Sequence, residues 1–206
     1  MNAKQLRTLE PTPEELASLK RLPLYLILDN VLDTYNIGAL FRVADAVGVK
    51  KIYLCGETMR PPSSKISKAA VDTDKWVEWE WVETAGEAVS KIKNQPFDFA
   101  QGESSPAERD PVSREKFKDS NKPLVVALEQ GEGSVSYDKA NYRLPMALIV
   151  GNETFGVSKE VLKLADLIVE IPLFGINKSL NVMVATAICL YEATKGIGGE
   201  KGDRRV

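Results

Sequence analysis

Three short stretches of the sequence combine glycine, amide, hydroxyl and charged residues in patterns that could bind a ligand and act on it. They span residues 36–45, 149–156 and 171–182. Glycine in such a stretch lets the backbone approach a ligand closely. The polar side chains concerned are those of Asn36, Arg42, Asp45, Asn152, Glu153, Ser179 and Asn181.

Each stretch also has an ordinary structural interpretation. The first can be an amphipathic helix capped by Asn36, with an ion pair between Arg42 and Asp45. The second can be an isolated turn, and the third can be a loop before a helix that Ser179 caps. Asn181 is harder to explain in this way, because a second amide in the first helical turn adds nothing to a core.

The composition excludes several classes of chemistry. The chain has no histidine, which excludes histidine acid–base catalysis, Ser-His-Asp triads and ordinary zinc sites. Neither a GxGxxG motif nor a Walker loop is present, so dinucleotide and nucleoside triphosphate binding lack support. Cys55 and Cys189 are far apart in the sequence, and we expect both to be buried, inert thiols.

The bulk properties favour one soluble domain. The chain has 206 residues, of which 44% are hydrophobic, and no apolar run reaches the roughly 20 residues that span a bilayer. The first residues are polar and lack the apolar core of a signal peptide, so we expect a cytoplasmic protein. The net charge of −2 disfavours nucleic acid binding on average, although one group of cations stands together: Lys50, Lys51, Arg60, Lys65 and Lys68.

Apolar periodicity places the three stretches on alternating strands and helices. Short apolar runs predict strands at 24–29, 51–55, 124–128, 146–150 and 167–171, and alternation of Val77, Trp79 and Trp81 predicts another. Helices are predicted to begin at the capping boxes of Thr12 and Thr84, to run from Asn36 to Gly48, and to span 158–165 and 179–195. Residues 98–122 are predicted to be a loop or insertion.

The first strand, helix and strand form a βαβ unit, which favours parallel pairing. The predicted fold class is therefore α/β, with a mostly parallel sheet flanked by helices. In such a sheet, ligands bind at the carboxyl ends of the strands, and each polar stretch follows or adjoins a strand end.

In this order, the three stretches resemble the signature motifs of the SpoU/TrmH family, within the SPOUT superfamily of RNA methyltransferases. The family patterns are an N-x-G-x-x-x-R helix, a G-N-E-x-x-G loop and an I-P-x-x-G-x-x-x-S-L-N loop, and all match without gaps. The resemblance covers roughly residues 23–195. It divides the chain into an arm (1–22), a methyltransferase domain (23–196) and a short tail (197–206).

The resemblance implies a fold and a cofactor. A deep trefoil knot is expected, in which the last helix passes through the loop that begins near Gly151. S-adenosyl-L-methionine (SAM) is the expected cofactor, held largely by backbone groups. The residues implied in cofactor binding are Leu128, Glu129, Gly151, Asn152, Ile171, Leu173 and Leu180.

The implied reaction is methyl transfer to a ribose 2′-hydroxyl of transfer or ribosomal RNA. Arg42 would help to remove the hydroxyl proton, or, because a guanidinium stays protonated, would clamp a phosphate and stabilise the developing alkoxide. Asn36, Ser179 and Asn181 would orient Arg42 and the ribose. Glu153 would hold the motif loops together or orient the arginine.

The resemblance also implies partners. A homodimer with its active site beside the subunit interface is expected, and neither a metal nor a membrane is expected to take part. Arg60, Lys65 and Lys68 follow the second strand and become candidate RNA phosphate contacts.

Some features depart from the family. Many relatives carry an additional L30e-type RNA-binding domain, and they often have Lys-Thr-Ala-Leu-Gly where this chain has residues 68–72. These departures leave the choice of RNA open. The alternatives are a non-catalytic knotted RNA-binding protein and a Rossmann-like small-molecule enzyme.

Overall fold

The computed structural model describes residues 11–96 and 122–195. Seven strands form a single sheet in which all pairs are parallel, in the order β3-β2-β1-β6-β4-β7-β5. The strands are β1 (Leu22–Asp29), β2 (Val49–Cys55), β3 (Glu78–Val82), β4 (Leu124–Leu128), β5 (Val135–Ser136), β6 (Met146–Gly151) and β7 (Leu167–Glu170). The helices are α1 (Pro13–Ser18), α2 (Thr34–Val47), α3 (Ser64–Ala70), α4 (Ala85–Lys93), α5 (Lys159–Leu162) and α6 (Val182–Ala193). The predicted α/β class is confirmed; the predicted insertion at 98–122 lies outside the described residues, apart from residue 122.

The centre of the sheet is apolar on both faces because helices cover both. In β1, Leu24, Leu26 and Leu28 face a core that includes residues of α2 and α6. Tyr25 and Ile27 point the other way, into a second core that includes residues of α4 and α5. The central strands therefore form a rigid frame whose carboxyl ends can hold loops in place.

Helix α2 begins and ends on identifiable caps, and one of them differs from the prediction. Gly48 has φ +75° and ends the helix, as predicted. The predicted cap, Asn36, is wrong: the Asp33 carboxylate accepts the N–H groups of Tyr35 and Asn36 instead. This earlier cap leaves the Asn36 side chain in the first helical turn, available for other contacts.

The ion pair between Arg42 and Asp45, which belonged to the ordinary structural interpretation of this helix, does not form. Asp45 accepts hydrogen bonds from Arg21, at 2.8 Å, and from the Trp76 indole N–H, at 3.1 Å. A partner from another part of the chain has replaced the local one, and Arg42 has no hydrogen-bonding or ionic partner among the described residues.

Several other element boundaries differ from the prediction. The Ser158 hydroxyl donates to the buried carboxylate of Asp29 at 2.7 Å instead of capping, and α5 is only four residues long. Helix α6 begins at Val182 rather than at Ser179, with Asn181 as its cap. Val77 precedes β3, and the two-residue strand β5 was not predicted.

The two cysteines are free and buried, as predicted. Burial raises the pKa of the Cys189 thiol to about 11 and raises that of Cys55 further. A thiol with a raised pKa is a poor nucleophile near neutral pH. Among the described helices, none is long and apolar enough to cross a membrane.

Candidate active site

A cleft of about 460 Å³ opens at the carboxyl ends of β4, β6 and β7. It lies where ligands bind in open parallel sheets. All the residues implied in cofactor binding line it: Leu128, Glu129, Gly151, Asn152, Ile171, Leu173 and Leu180. Three of the implied catalytic residues, Glu153, Ser179 and Asn181, line it as well.

One side of the cleft is a tight turn of residues 152–156, here named the 152–156 turn. Asn152 and Gly156 exchange backbone hydrogen bonds of 3.0 and 2.9 Å. The Asn152 side-chain oxygen accepts the N–H groups of Thr154 and Phe155, while its amide donates to the Asn30 carbonyl at 2.8 Å. A Cβ at Gly151 would overlap with the backbone of Gly156 and Val157, so this position requires glycine.

Glu129, which directly follows β4, stabilises the same turn. Its carboxylate accepts the N–H of Val157 at 2.8 Å and that of Gln130 at 2.9 Å. Glu129 therefore both lines the cleft and stabilises the backbone next to the 152–156 turn.

A chain of hydrogen bonds joins the three motif stretches. The Glu153 carboxylate accepts from the backbone N–H groups of Leu32 and Asp33 and from the Asn36 amide at 3.0 Å. The Asn36 oxygen accepts from the Asn181 amide at 2.9 Å. The Asn181 oxygen accepts from the backbone N–H groups of Met183 and Val184, so this series of hydrogen bonds ends at the start of α6.

The charge of Glu153 is stabilised in this arrangement. Partial burial acts to raise the pKa of Glu153, but the hydrogen bonds from Asn36, Leu32 and Asp33 outweigh it, and the pKa is lowered overall. Hydrogen bonds to a carboxylate favour its ionised form. Glu153 is therefore an anionic anchor at neutral pH.

The opposite side of the cleft is residues 171–180, here named the 171–180 loop. Among the described residues, this loop makes no hydrogen bond. Ser179 and Lys178 are exposed, and Gly175 has nothing near its Cβ position. The backbone groups of this loop are consequently available to a ligand.

Arg42 does not line the cleft of its own chain. It lies on an exposed position of α2, six residues after Asn36. One chain therefore brings Glu153, Ser179 and Asn181 to the cleft, with Asn36 hydrogen-bonded to Glu153 and Asn181, and does not place Arg42 in the lining.

The predicted cationic group divides into two sets. Lys51 pairs with Glu78 at 2.6 Å and with Glu80 at 3.4 Å, so its charge is neutralised. Lys50, Arg60, Lys65 and Lys68 are exposed and make no ion pair with any described residue. The Arg60 guanidinium stacks on the Trp81 ring at 4.7 Å.

Sequence reasoning missed Asn30, which links this cationic region to the cleft. Its carbonyl accepts from Asn152, and its side-chain oxygen accepts the N–H of Glu57 at 3.0 Å. Asn30 has φ +57°, a conformation that asparagine tolerates better than most residues. An Asp-Asn pair at the end of an apolar strand was the available signal.

No cluster of three or more histidine, cysteine, aspartate or glutamate side chains that could hold a metal occurs in the ranges 11–96 and 122–195.

Comparisons with known proteins identify the family. The model of the SpoU rRNA methylase family matches residues 23–191. The tRNA (guanosine(18)-2′-O)-methyltransferase of Aquifex aeolicus (strain VF5) is 31% identical over 182 residues, which are 88% of this chain and 73% of that protein.

Solved structures agree. The A. aeolicus TrmH/SpoU tRNA modifying enzyme is 30% identical with a TM-score of 0.67, covering 93% of this chain and 80% of that one. The AdoMet-bound rRNA methyltransferase from Sinorhizobium meliloti is 28% identical with a TM-score of 0.65, and the match spans 92% of this chain but 59% of that one. Because the family model covers most of the sequence, this chain belongs to the SpoU rRNA methylase family.

Proposed function

We propose that this protein transfers a methyl group from SAM to a ribose 2′-hydroxyl of transfer or ribosomal RNA, in the cleft between the 152–156 turn and the 171–180 loop. The observation that carries the proposal is the hydrogen-bond chain Glu153–Asn36–Asn181, which joins all three motif stretches beside one cleft. Relatives named as tRNA and rRNA 2′-O-methyltransferases support it. Arg42 and Ser179 make no hydrogen bond or ion pair with any described residue, so a fold-stabilising role, which a non-catalytic RNA-binding protein would also need, does not account for them.

The cleft has the properties that SAM requires. Its volume of about 460 Å³ falls in the usual range for small-ligand sites. Leu128, Ile171, Leu173 and Leu180 would supply apolar contacts and backbone hydrogen bonds. When bound, SAM supplies an electrophilic methyl group on its sulfonium sulfur.

The polar residues would act on the ribose. Asn36, Ser179 and Asn181 would orient the sugar, and Glu153 would hold their loops. Arg42 would either help to remove the hydroxyl proton or, in better agreement with a permanently charged guanidinium, bind the adjacent phosphate and stabilise the developing alkoxide.

A homodimer would bring Arg42 to a cleft. Helices α2 and α6 pack together and leave apolar side chains exposed: Tyr35 at 57%, Val184 at 39% and Tyr191 at 55%. We propose that this face is the isologous dimer interface, and that Arg42 approaches the cleft of the partner subunit there. Mixing inactive Arg42→Ala with inactive Ser179→Ala should then restore methyl transfer, whereas a mixture that stays inactive would contradict this placement.

Arg60, Lys65 and Lys68 would contact RNA phosphates beside the cleft. Unpaired cations next to a site for RNA are expected to release counterions on binding, so affinity should fall steeply as salt rises. Lys65→Glu and Lys68→Glu should weaken binding and flatten this dependence. Unchanged affinity across a salt titration would refute the assignment.

Three further features of the family are proposed for this chain. The C-terminal trefoil knot is proposed because the SpoU family model matches residues 23–191 of this chain. The division into an arm (1–22), a catalytic domain (23–196) and a tail (197–206) accords with the family match at 23–191. A cytoplasmic location accords with RNA as the substrate.

The direct test uses purified protein, SAM with a labelled methyl group, and RNA from a strain that lacks the gene. The protein should label the RNA, and Arg42→Ala should lower turnover by roughly 10²–10³-fold while SAM affinity measured by calorimetry stays unchanged. Near-normal turnover by Arg42→Ala with SAM and RNA bound would contradict both roles of this residue.

A further inference from the structure

Three large apolar side chains beside the cleft are almost completely exposed. Phe174 is 99% exposed, Ile176 98% and Phe155 87%, while Tyr35, the next among the exposed large apolar residues, reaches 57%. Exposing such side chains to water is unfavourable. Scattered exposed apolar residues are ordinary, but three of them on the two loops that line one cleft indicate a contact surface.

The surrounding residues place these side chains at the rim. Thr154 and Gly156 line the cleft on either side of Phe155, and Leu173 and Asn177 do so on either side of Phe174 and Ile176. Phe155 stands on the 152–156 turn, whose hydrogen bonds fix its backbone. Phe155 is therefore exposed even though hydrogen bonds fix its backbone.

A cation accompanies the apolar rim. Lys178 lies two residues after Ile176, is exposed and lines the cleft, and it has no ion-pair partner among the described residues. Aromatic and apolar faces next to a free cation suit a nucleic acid strand, because bases stack on the former and phosphates pair with the latter.

We propose that Phe155, Phe174 and Ile176 form a base-binding rim, which receives unstacked bases next to the ribose that enters the cleft, with Lys178 on a neighbouring phosphate. The inference rests on the proposed function. In a regular RNA helix the bases are stacked and paired and cannot reach aromatic side chains, whereas single-stranded loops and bulges can splay their bases onto them. The rim thus selects unpaired segments of RNA.

The test compares Phe174→Ala, Ile176→Ala and Phe155→Ala with Leu16→Ala, which removes a 39% exposed leucine from α1. With RNA from a strain that lacks the gene and with saturating SAM, Phe174→Ala should raise the KM for RNA about tenfold, the loss expected for one base stack. Phe174→Trp should restore the wild-type KM, because it restores the aromatic face. Leu16→Ala should leave the KM unchanged.

Two other measurements on the same variants keep the inference falsifiable. SAM affinity by calorimetry and molecular mass by sedimentation should both stay at the wild-type values. A weaker dimer would assign the rim to a subunit interface, and weaker SAM binding would assign it to the cofactor; either result, or an unchanged KM, overturns the inference. A wild-type protein that transfers no methyl group to any RNA would instead overturn the proposed function.

Discussion

The two sides of the cleft are built in opposite ways. The 152–156 turn is held by its own backbone hydrogen bonds, by the Asn152 side chain and by Glu153, which reaches to the start of α2. The 171–180 loop makes no hydrogen bond with any described residue and is exposed along most of its length. The 152–156 turn is therefore formed before a ligand binds, whereas the backbone N–H and C=O groups of the 171–180 loop remain available to hydrogen-bond to a ligand.

Because the turn is hydrogen-bonded and the loop is not, ligand binding should order the loop but not the turn. A fixed turn loses little conformational entropy when a ligand binds, whereas ordering the 171–180 loop costs entropy that the ligand contacts must offset. Changes in the groups that hydrogen-bond within the turn should therefore lower the stability of the fold, whereas the same changes in the loop should leave stability unaltered. Matched substitutions on the two sides test this difference.

The largest expected effect comes from the same substitution at two glycines. In Gly151→Ala the new methyl group would overlap with the backbone of Gly156 and Val157, while in Gly175→Ala it would meet nothing within 4 Å. Gly151→Ala should cost about 1–3 kcal/mol or more, which lowers the melting temperature by roughly 2–4 °C per kcal/mol. Gly175→Ala should leave the melting curve unchanged. Similar shifts in both variants would show that the two sides of the cleft are equally well packed.

A smaller effect is expected where the loop meets α6. Asn181 caps the helix and donates to Asn36, so Asn181→Ala should cost about 0.5–2 kcal/mol of folding free energy. Ser179 makes no hydrogen bond among the described residues, so Ser179→Ala should change stability by less than about 0.5 kcal/mol. Urea unfolding measures both; a Ser179→Ala protein that loses as much stability as Asn181→Ala would show that the loop is already ordered.

The smallest effect is the pH dependence that Glu153 contributes. Its folded pKa lies below the ordinary value of 4.5. The stabilisation is therefore complete above that value and is lost as the pH falls through the folded pKa. Because Glu153 is exposed to solvent, we expect only a few tenths of a kcal/mol, or roughly the size of a surface interaction.

Glu153→Gln is the matched control for this pH dependence. It keeps an amide oxygen as an acceptor but removes the titrating group. Unfolding curves of the variant and the wild type, collected between about pH 5 and about pH 3, should converge at the acidic end. A constant difference across that range would mean that the charge of Glu153 has no part in holding the turn.

Much of the fold could be predicted because the strands and glycines obey local rules. The apolar runs that become β1, β4 and β6 are unmistakable, and Gly48 ends α2 in the left-handed conformation. The place of the cleft could be predicted as well, since strand ends converge in a parallel sheet, whereas the individual residues that line it were implied by the family resemblance.

Most of the remainder depends on partners that are distant in sequence. Arg21 pairs with Asp45, which had a local alternative in Arg42, and Asp29 accepts the hydroxyl of Ser158. The cap of α2 is different, because Asp33, only three residues before Asn36, is a second local candidate that sequence reasoning missed. Nothing in the sequence indicated that Arg42 would be absent from the lining of the cleft.

The most direct test of the central claim is the position of the transferred methyl group. Alkali cleaves RNA by attack of a 2′-hydroxyl on the adjacent phosphate, and a 2′-O-methyl group prevents this attack. RNA labelled by the purified protein and labelled SAM should therefore release its label in alkali-stable dinucleotides. Label recovered in mononucleotides would place the methyl group on a base and would contradict the account.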